Sequence, residues 1–132
     1  MHFKLSKVAI YEKVLGAEHP STATTYNNIA GVYQDQGDYA TALEWNKKAL
    51  AISEKVLGVE HPDTATTYNN IANVYTYQGD YATALEWYKK VYRILKHVLG
   101  EDHPSTKTVL GNAKTAYDNA GFSEGFNVWL SK

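Results

Sequence analysis

An acidic residue followed by histidine and proline occurs three times in this chain: Glu18-His19-Pro20, Glu60-His61-Pro62 and Asp102-His103-Pro104. Histidine beside a carboxylate is raw material for a metal site or an acid–base pair, because imidazole titrates near neutrality and ligates zinc. The spacing argues against both. Each pair lies forty-two residues beyond the last, so the pairs recur because a loop recurs. Successive copies of such a loop stand a helix-pair width apart, ~10 Å or more by interaxial distances, beyond the span of one shared zinc. His19, His61 and His103 are therefore read as first-turn caps or loop packing. No glycine-rich phosphate loop or nucleophile motif occurs. The chain is not read as an enzyme, and no cofactor or metal is expected.

The same step organises everything else. Pro20 to Leu57 is rewritten from Pro62 to Leu99 with eleven of thirty-eight positions changed. Leu15, Leu57 and Leu99 form one series, Gly37, Gly79 and Gly121 another, and Trp45, Trp87 and Trp129 a third. A fixed period of this length marks a stacked array in which each unit completes its core against its neighbours. Function then belongs to an extended surface rather than a catalytic pocket.

Within a unit, apolar residues recur at helical spacing. Tyr26, Ile29, Ala30 and Tyr33 make one face, copied by Tyr68, Ile71, Ala72 and Tyr75. Gln36-Gly37-Asp38 and Gln78-Gly79-Asp80 interrupt the pattern with glycine where a helix closes in a left-handed conformation. A second run follows, Tyr39, Ala42, Leu43, Trp45, Ala49, Leu50, Ile52, Val56, Leu57, up to Gly58. Proline suits the next first turn, whose amide has no partner anyway, and Ser21, Asp63 and Ser105 suit a helix start. Each unit is predicted to be a helical hairpin: helix A of about seventeen residues, a tight turn, and helix B of about twenty. Ser6 to Gly16 aligns with Lys48 to Gly58, so residues 1–16 read as a helix B without its helix A. Residues 20–58 and 62–100 read as full repeats, and 104–132 as a degenerate or capping third. That gives one domain over 1–132 and about seven helices.

Bulk properties narrow the partners. The 132 residues are 44% hydrophobic, enough for a continuous core, with 13 basic and 14 acidic side chains. Without a basic run to follow a phosphate backbone, nucleic acid is an unexpected partner. Cysteine is absent, which fits a reducing compartment. No signal-like or membrane-spanning window occurs, so the expected location is the cytoplasm.

Tyr26-x-x-Ile29-Ala30-x-x-Tyr33-x-x-x-Gly37-x-Tyr39-x-x-Ala42-Leu43-x-Trp45, followed by Ala49-Leu50, resembles the tetratricopeptide repeat. The second unit matches with Tyr68, Ile71, Ala72, Tyr75, Gly79, Tyr81, Ala84, Trp87 and Tyr88. The extra residues, Glu54 to Pro62, resemble the extended link of kinesin light-chain repeats. The resemblance implies an all-α, right-handed α-solenoid of antiparallel helix pairs, with helices A lining a concave groove. Small Ala30, Ala42 and Ala49 would let helices approach closely, while Tyr33, Tyr39 and Trp45 fill the wedge. The third unit departs: Lys114 stands where Ala30 and Ala72 stand, and Phe126 where Ala42 and Ala84 stand. A close seam cannot hold both unless the lysine snorkels outward.

Removing core positions from helix A leaves Thr24, Asn27, Gly31, Gln34 and Asp35, then Thr66, Asn69, Asn73, Thr76 and Tyr77, then Thr108, Gly111, Asn112, Thr115 and Asp118. By resemblance, Asn27 and Asn69 match positions that hydrogen-bond the main chain of an extended peptide, and Asn73 matches a further groove asparagine. A carboxamide offers two donors and an acceptor, which suits a passing backbone. Asn28 and Asn70 are placed nearer the intra-repeat interface. Pro20 to Gln36 and Pro62 to Gln78 contain no Lys or Arg, so a buried C-terminal carboxylate would go uncompensated. The reading is an interaction scaffold that holds an internal, mostly neutral peptide segment. The alternative is self-assembly: the apolar face of the first helix (Phe3, Val8, Ile10, Val14) needs cover, by helix swapping or end-to-end stacking.

Overall fold

The computed structural model describes residues 18–132. Among them lie six helices and no strand: α1 Pro20–Asp35, α2 Tyr39–Val56, α3 Pro62–Gln78, α4 Tyr81–Leu99, α5 Pro104–Ala120 and α6 Phe126–Ser131. The helix expected over residues 1–16 lies outside the described residues.

Each boundary has a local cause. α1, α3 and α5 open on proline, and the preceding histidine caps them: Nδ1 of His19, His61 and His103 accepts the amide of Ser21, Asp63 and Ser105 at 3.0, 3.0 and 3.1 Å. Asp38 and Asp80 cap α2 and α4 by accepting the Thr41 and Thr83 amides, both at 3.3 Å. Between the helices of a hairpin the backbone turns at Gly37 and Gly79, with φ of 80° and 81°. An L side chain is disfavoured there, which is why glycine holds the series.

Consecutive helices pack side by side: α1 on α2, α2 on α3, α3 on α4 and α4 on α5, with helix A touching helix A where α1 meets α3. The seams form where alanine was expected. Ala30, Ala42, Ala49, Ala72 and Ala84 are all at most 2% exposed. Three apolar clusters run along the stack. Ala23, Tyr26, Ile29, Ala49 and Ile52 fill the first hairpin. Leu50, Ala65, Tyr68, Ile71, Val91, Leu95 and Val109 join three units. Ala72, Ala84, Leu85, Tyr88, Ala113, Ala116, Tyr117 and Trp129 close the far end.

Aromatic wedges repeat too. Trp45 tilts against Tyr26 at 5.4 Å and Trp87 against Tyr68 at 5.6 Å, with Lys48 and Lys90 over the indoles at 4.5 and 4.7 Å. In the third unit Lys114 snorkels outward, 3.2 Å from Asp118 and 5.9 Å from the Phe126 ring. Trp129 is instead buried against Tyr117 and Phe126.

Candidate functional site

The helix-A face is polar because its exposed positions carry threonine and asparagine, and many of those groups are already engaged. The hydroxyls of Thr24, Thr66, Thr76 and Thr115 donate to the carbonyls of Pro20, Pro62, Ala72 and Gly111, four residues back on their own helices, at 3.0–3.3 Å. Their oxygens retain lone pairs for a guest. Gln34 is half-buried and Asn112 exposed. Tyr77 is 63% exposed and stacks on Tyr39 at 6.1 Å, bridging the first and second units.

The three asparagines expected to act alike have different surroundings. Asn27 Nδ2 donates to the Thr67 hydroxyl on α3 at 2.9 Å, tying one unit to the next. Asn73 Oδ1 accepts from the Tyr88 phenol at 2.6 Å, and the same phenol lies 3.3 Å from Thr76 Oγ1. Burial holds that phenol above its ordinary pKa, so it stays a donor. Asn69 makes no side-chain hydrogen bond, and its Oδ1 is buried without a partner. One substitution accounts for the idle Nδ2: the residue forty-two beyond Thr67 is Val109, which has a methyl where the Asn27 Nδ2 finds a hydroxyl; the Oδ1 of Asn27, like that of Asn69, is buried without a partner. Of the flanking pair, Asn70 is half-buried, but Asn28 is exposed rather than turned into the interface.

Asn69 lines a cleft of about 400 Å³ between α3 and α5, floored by α4. Pro62, Ala65, Thr66 and Asn69 form one wall, Pro104, Ser105, Thr108 and Val109 the other, and Val91, Leu95 and Leu99 the floor. No charged residue lines it. A half-turn of the Asn69 carboxamide exchanges its donors for its acceptor, so it can meet either face of a peptide group. An apolar floor with one unpartnered amide on the wall is chemistry for an extended backbone carrying an apolar side chain.

The histidine row is not available for a shared metal ion through Nδ1, which each ring spends on its own loop amide. Among the described residues no group of three metal-ligating side chains converges. The partners Thr67 and Val109 escaped notice in the sequence, and Tyr88 was read there only as a landmark of the repeat. Their signal was there in the series Thr25-Thr67-Val109 and Asn46-Tyr88-Leu130, positions where the repeat fails to copy itself.

The family description of the tetratricopeptide repeat matches residues 8–55, 21–97 and 63–121. The chain belongs to the tetratricopeptide repeat family. Among solved structures it is similar to the nearly identical repeats of a Podosopora anserina putative kinesin light chain, at 30% identity and a TM-score of 0.81, covering 91% of this chain and 57% of that one. A variant of that protein matches at 29% identity and a TM-score of 0.80, with the same coverage. BtubC (BKLC) from P. vanneervenii shares the fold at 21% identity and a TM-score of 0.83, covering 91% of this chain and 48% of that one. The chain thus spans about half the length of these arrays. Comparison with curated protein sequences finds no match. The putative kinesin light chain repeats are what this chain is similar to in sequence as well as in fold. Tetratricopeptide repeats mediate protein–protein interaction. No helix among the described residues is long and apolar enough to cross a membrane.

Proposed function

We propose that the chain is a non-catalytic cytoplasmic scaffold that holds an extended, uncharged, internal peptide segment along the face shared by α1, α3 and α5. The contact centres on the cleft at Asn69. The observation that carries this reading is the unpartnered carboxamide of Asn69 beside an uncharged, apolar-floored cleft. A buried polar atom without a partner costs free energy in the empty protein, and a guest backbone removes that cost on binding. Thr66 and Thr108 offer hydroxyl lone pairs on the two walls. Thr24, Asn27, Gln34, Asn73, Thr76, Tyr77, Asn112 and Thr115 extend the surface, with Asn27 and Asn73 shaping it more than touching the guest. α1 and α3 carry no cation to receive a terminal carboxylate.

The test is a fluorescence titration with C-terminally amidated, fluorescein-labelled peptides selected from a displayed library. Asn69→Ala is expected to weaken binding about tenfold, equivalent to roughly 1.4 kcal/mol. Affinity that is the same in Asn69→Ala and wild type would show that the guest lies elsewhere.

A further inference from the structure

The last turn of α3 holds a feature that occurs once in the stack. Tyr77 stands where the first unit has Asp35 and the third has Asn119. Its ring lies nearly parallel to that of Tyr39, the first residue of α2, with centroids 6.1 Å apart and an interplanar angle of 3°. Parallel rings at that spacing are slipped past one another rather than eclipsed, and 63% of Tyr77 stays exposed. The tyrosines that serve packing are different: Tyr26 and Tyr68 are 6% and 4% exposed.

The charge around this pair has one sign. No lysine or arginine occurs from Glu18 to Asn46 or from Val56 to Tyr88. Asp38 adjoins Tyr39, Asp35 ends α1 at the register that Tyr77 holds on α3, and Asp80 caps α4. All three carboxylates are exposed. Among the described residues none of them is in an ion pair, whereas Glu18, Glu101, Asp118 and Glu124 each hold a lysine. An aromatic face carries negative potential, so the rings and the carboxylates select the same ligand, a cation. A guanidinium suits the place best, because its plane stacks on a ring while its edge donates to carboxylates.

We propose that the turn edge formed by Tyr39, Tyr77, Asp35 and Asp38 is a docking site for an arginine side chain of a protein partner. Tyr77 lies eight residues beyond Asn69, about 12 Å along the helix. The edge is thus a surface apart from the Asn69 cleft and does not rest on that reading. The cleft takes uncharged backbone and the edge takes a charge, so the two select different segments.

The experiment is an NMR titration of the full chain at low ionic strength, following the ring signals of Tyr39 and Tyr77. The probe is a pentapeptide alternating glycine and arginine, blocked at both ends, with its glutamine counterpart as control. The arginine peptide is expected to move both rings saturably and the glutamine peptide to leave them in place. Tyr77→Phe, which keeps the ring, binds like the wild type, and Tyr77→Leu, which keeps only apolar bulk, binds about threefold more weakly. Joint replacement Asp35→Asn and Asp38→Asn keeps the α2 cap, since asparagine caps as aspartate does, and flattens the weakening by added salt. Asn69→Ala leaves the affinity unchanged, so this site and the cleft stand or fall separately. Equal shifts from the glutamine peptide, or undiminished affinity in Tyr77→Leu, overturn the proposal. So do Tyr77 signals that move on dilution of the protein alone, which place a second copy on the edge.

Discussion

The seam between the first and second units and the seam between the second and third share one backbone design and differ at one side chain. Across the first, Asn27 reaches a threonine hydroxyl; across the second, Asn69 faces Val109 and finds nothing. Apolar packing repeats almost unchanged along the stack, whereas polar closure does not. A repeat array acquires a distinct site where one unit stops satisfying its neighbour.

The largest expected effect contrasts the second unit with the third. Ala72→Leu overpacks a fully buried seam and should cost roughly 1–3 kcal/mol in chemical denaturation. Lys114→Leu, at the same register but exposed, should stay within about 0.5 kcal/mol of wild type. Equal costs would mean that the third seam is as tight as the second. Next, Thr67→Val makes the first seam resemble the second and strands the Asn27 amide, at a cost of about 1 kcal/mol in urea unfolding. The reverse exchange, Val109→Thr, gives Asn69 a partner. Stability should move by less than about 1 kcal/mol, while peptide affinity falls several-fold in the same titration that tests Asn69.

The smallest effect is a pH dependence. The Tyr68 phenol is raised well above its usual pKa, first by burial and then by its 2.6 Å bond to the Glu54 carboxylate across the first seam. Above pH of about 10 an unfolded tyrosine ionises while Tyr68 stays protonated, so the unfolded state holds fewer protons and stability falls as pH rises. Thermal unfolding between neutral and strongly alkaline pH should show this decline, and Tyr68→Phe should flatten part of it.

Most of the architecture was legible because it obeys local rules. Proline after histidine starts α1, α3 and α5, Gly37 and Gly79 end hairpin turns, and alanine marks each close approach. The face that carries function was legible only as a list of polar positions. Pairings such as Asn27 with Thr67, forty residues apart, or Tyr88 with Asn73 depend on how adjacent units dock, and periodicity does not carry that geometry. Exposed Asn28 shows the same limit: adjacent residues on a helix point about 100° apart, and the sequence alone left its side unresolved.

The links between units bear on how such a stack grows. Gly58 and Gly100 turn with φ of 94° and 93°, and each leads into a helix begun by an identical histidine–proline clasp. Joints of one shape make modules interchangeable: a cassette of forty-two residues spliced in at Gly58 would meet edges already cut to receive it. Unequal crossing-over between the two near-copies would then lengthen the gene into a product that folds without further adjustment.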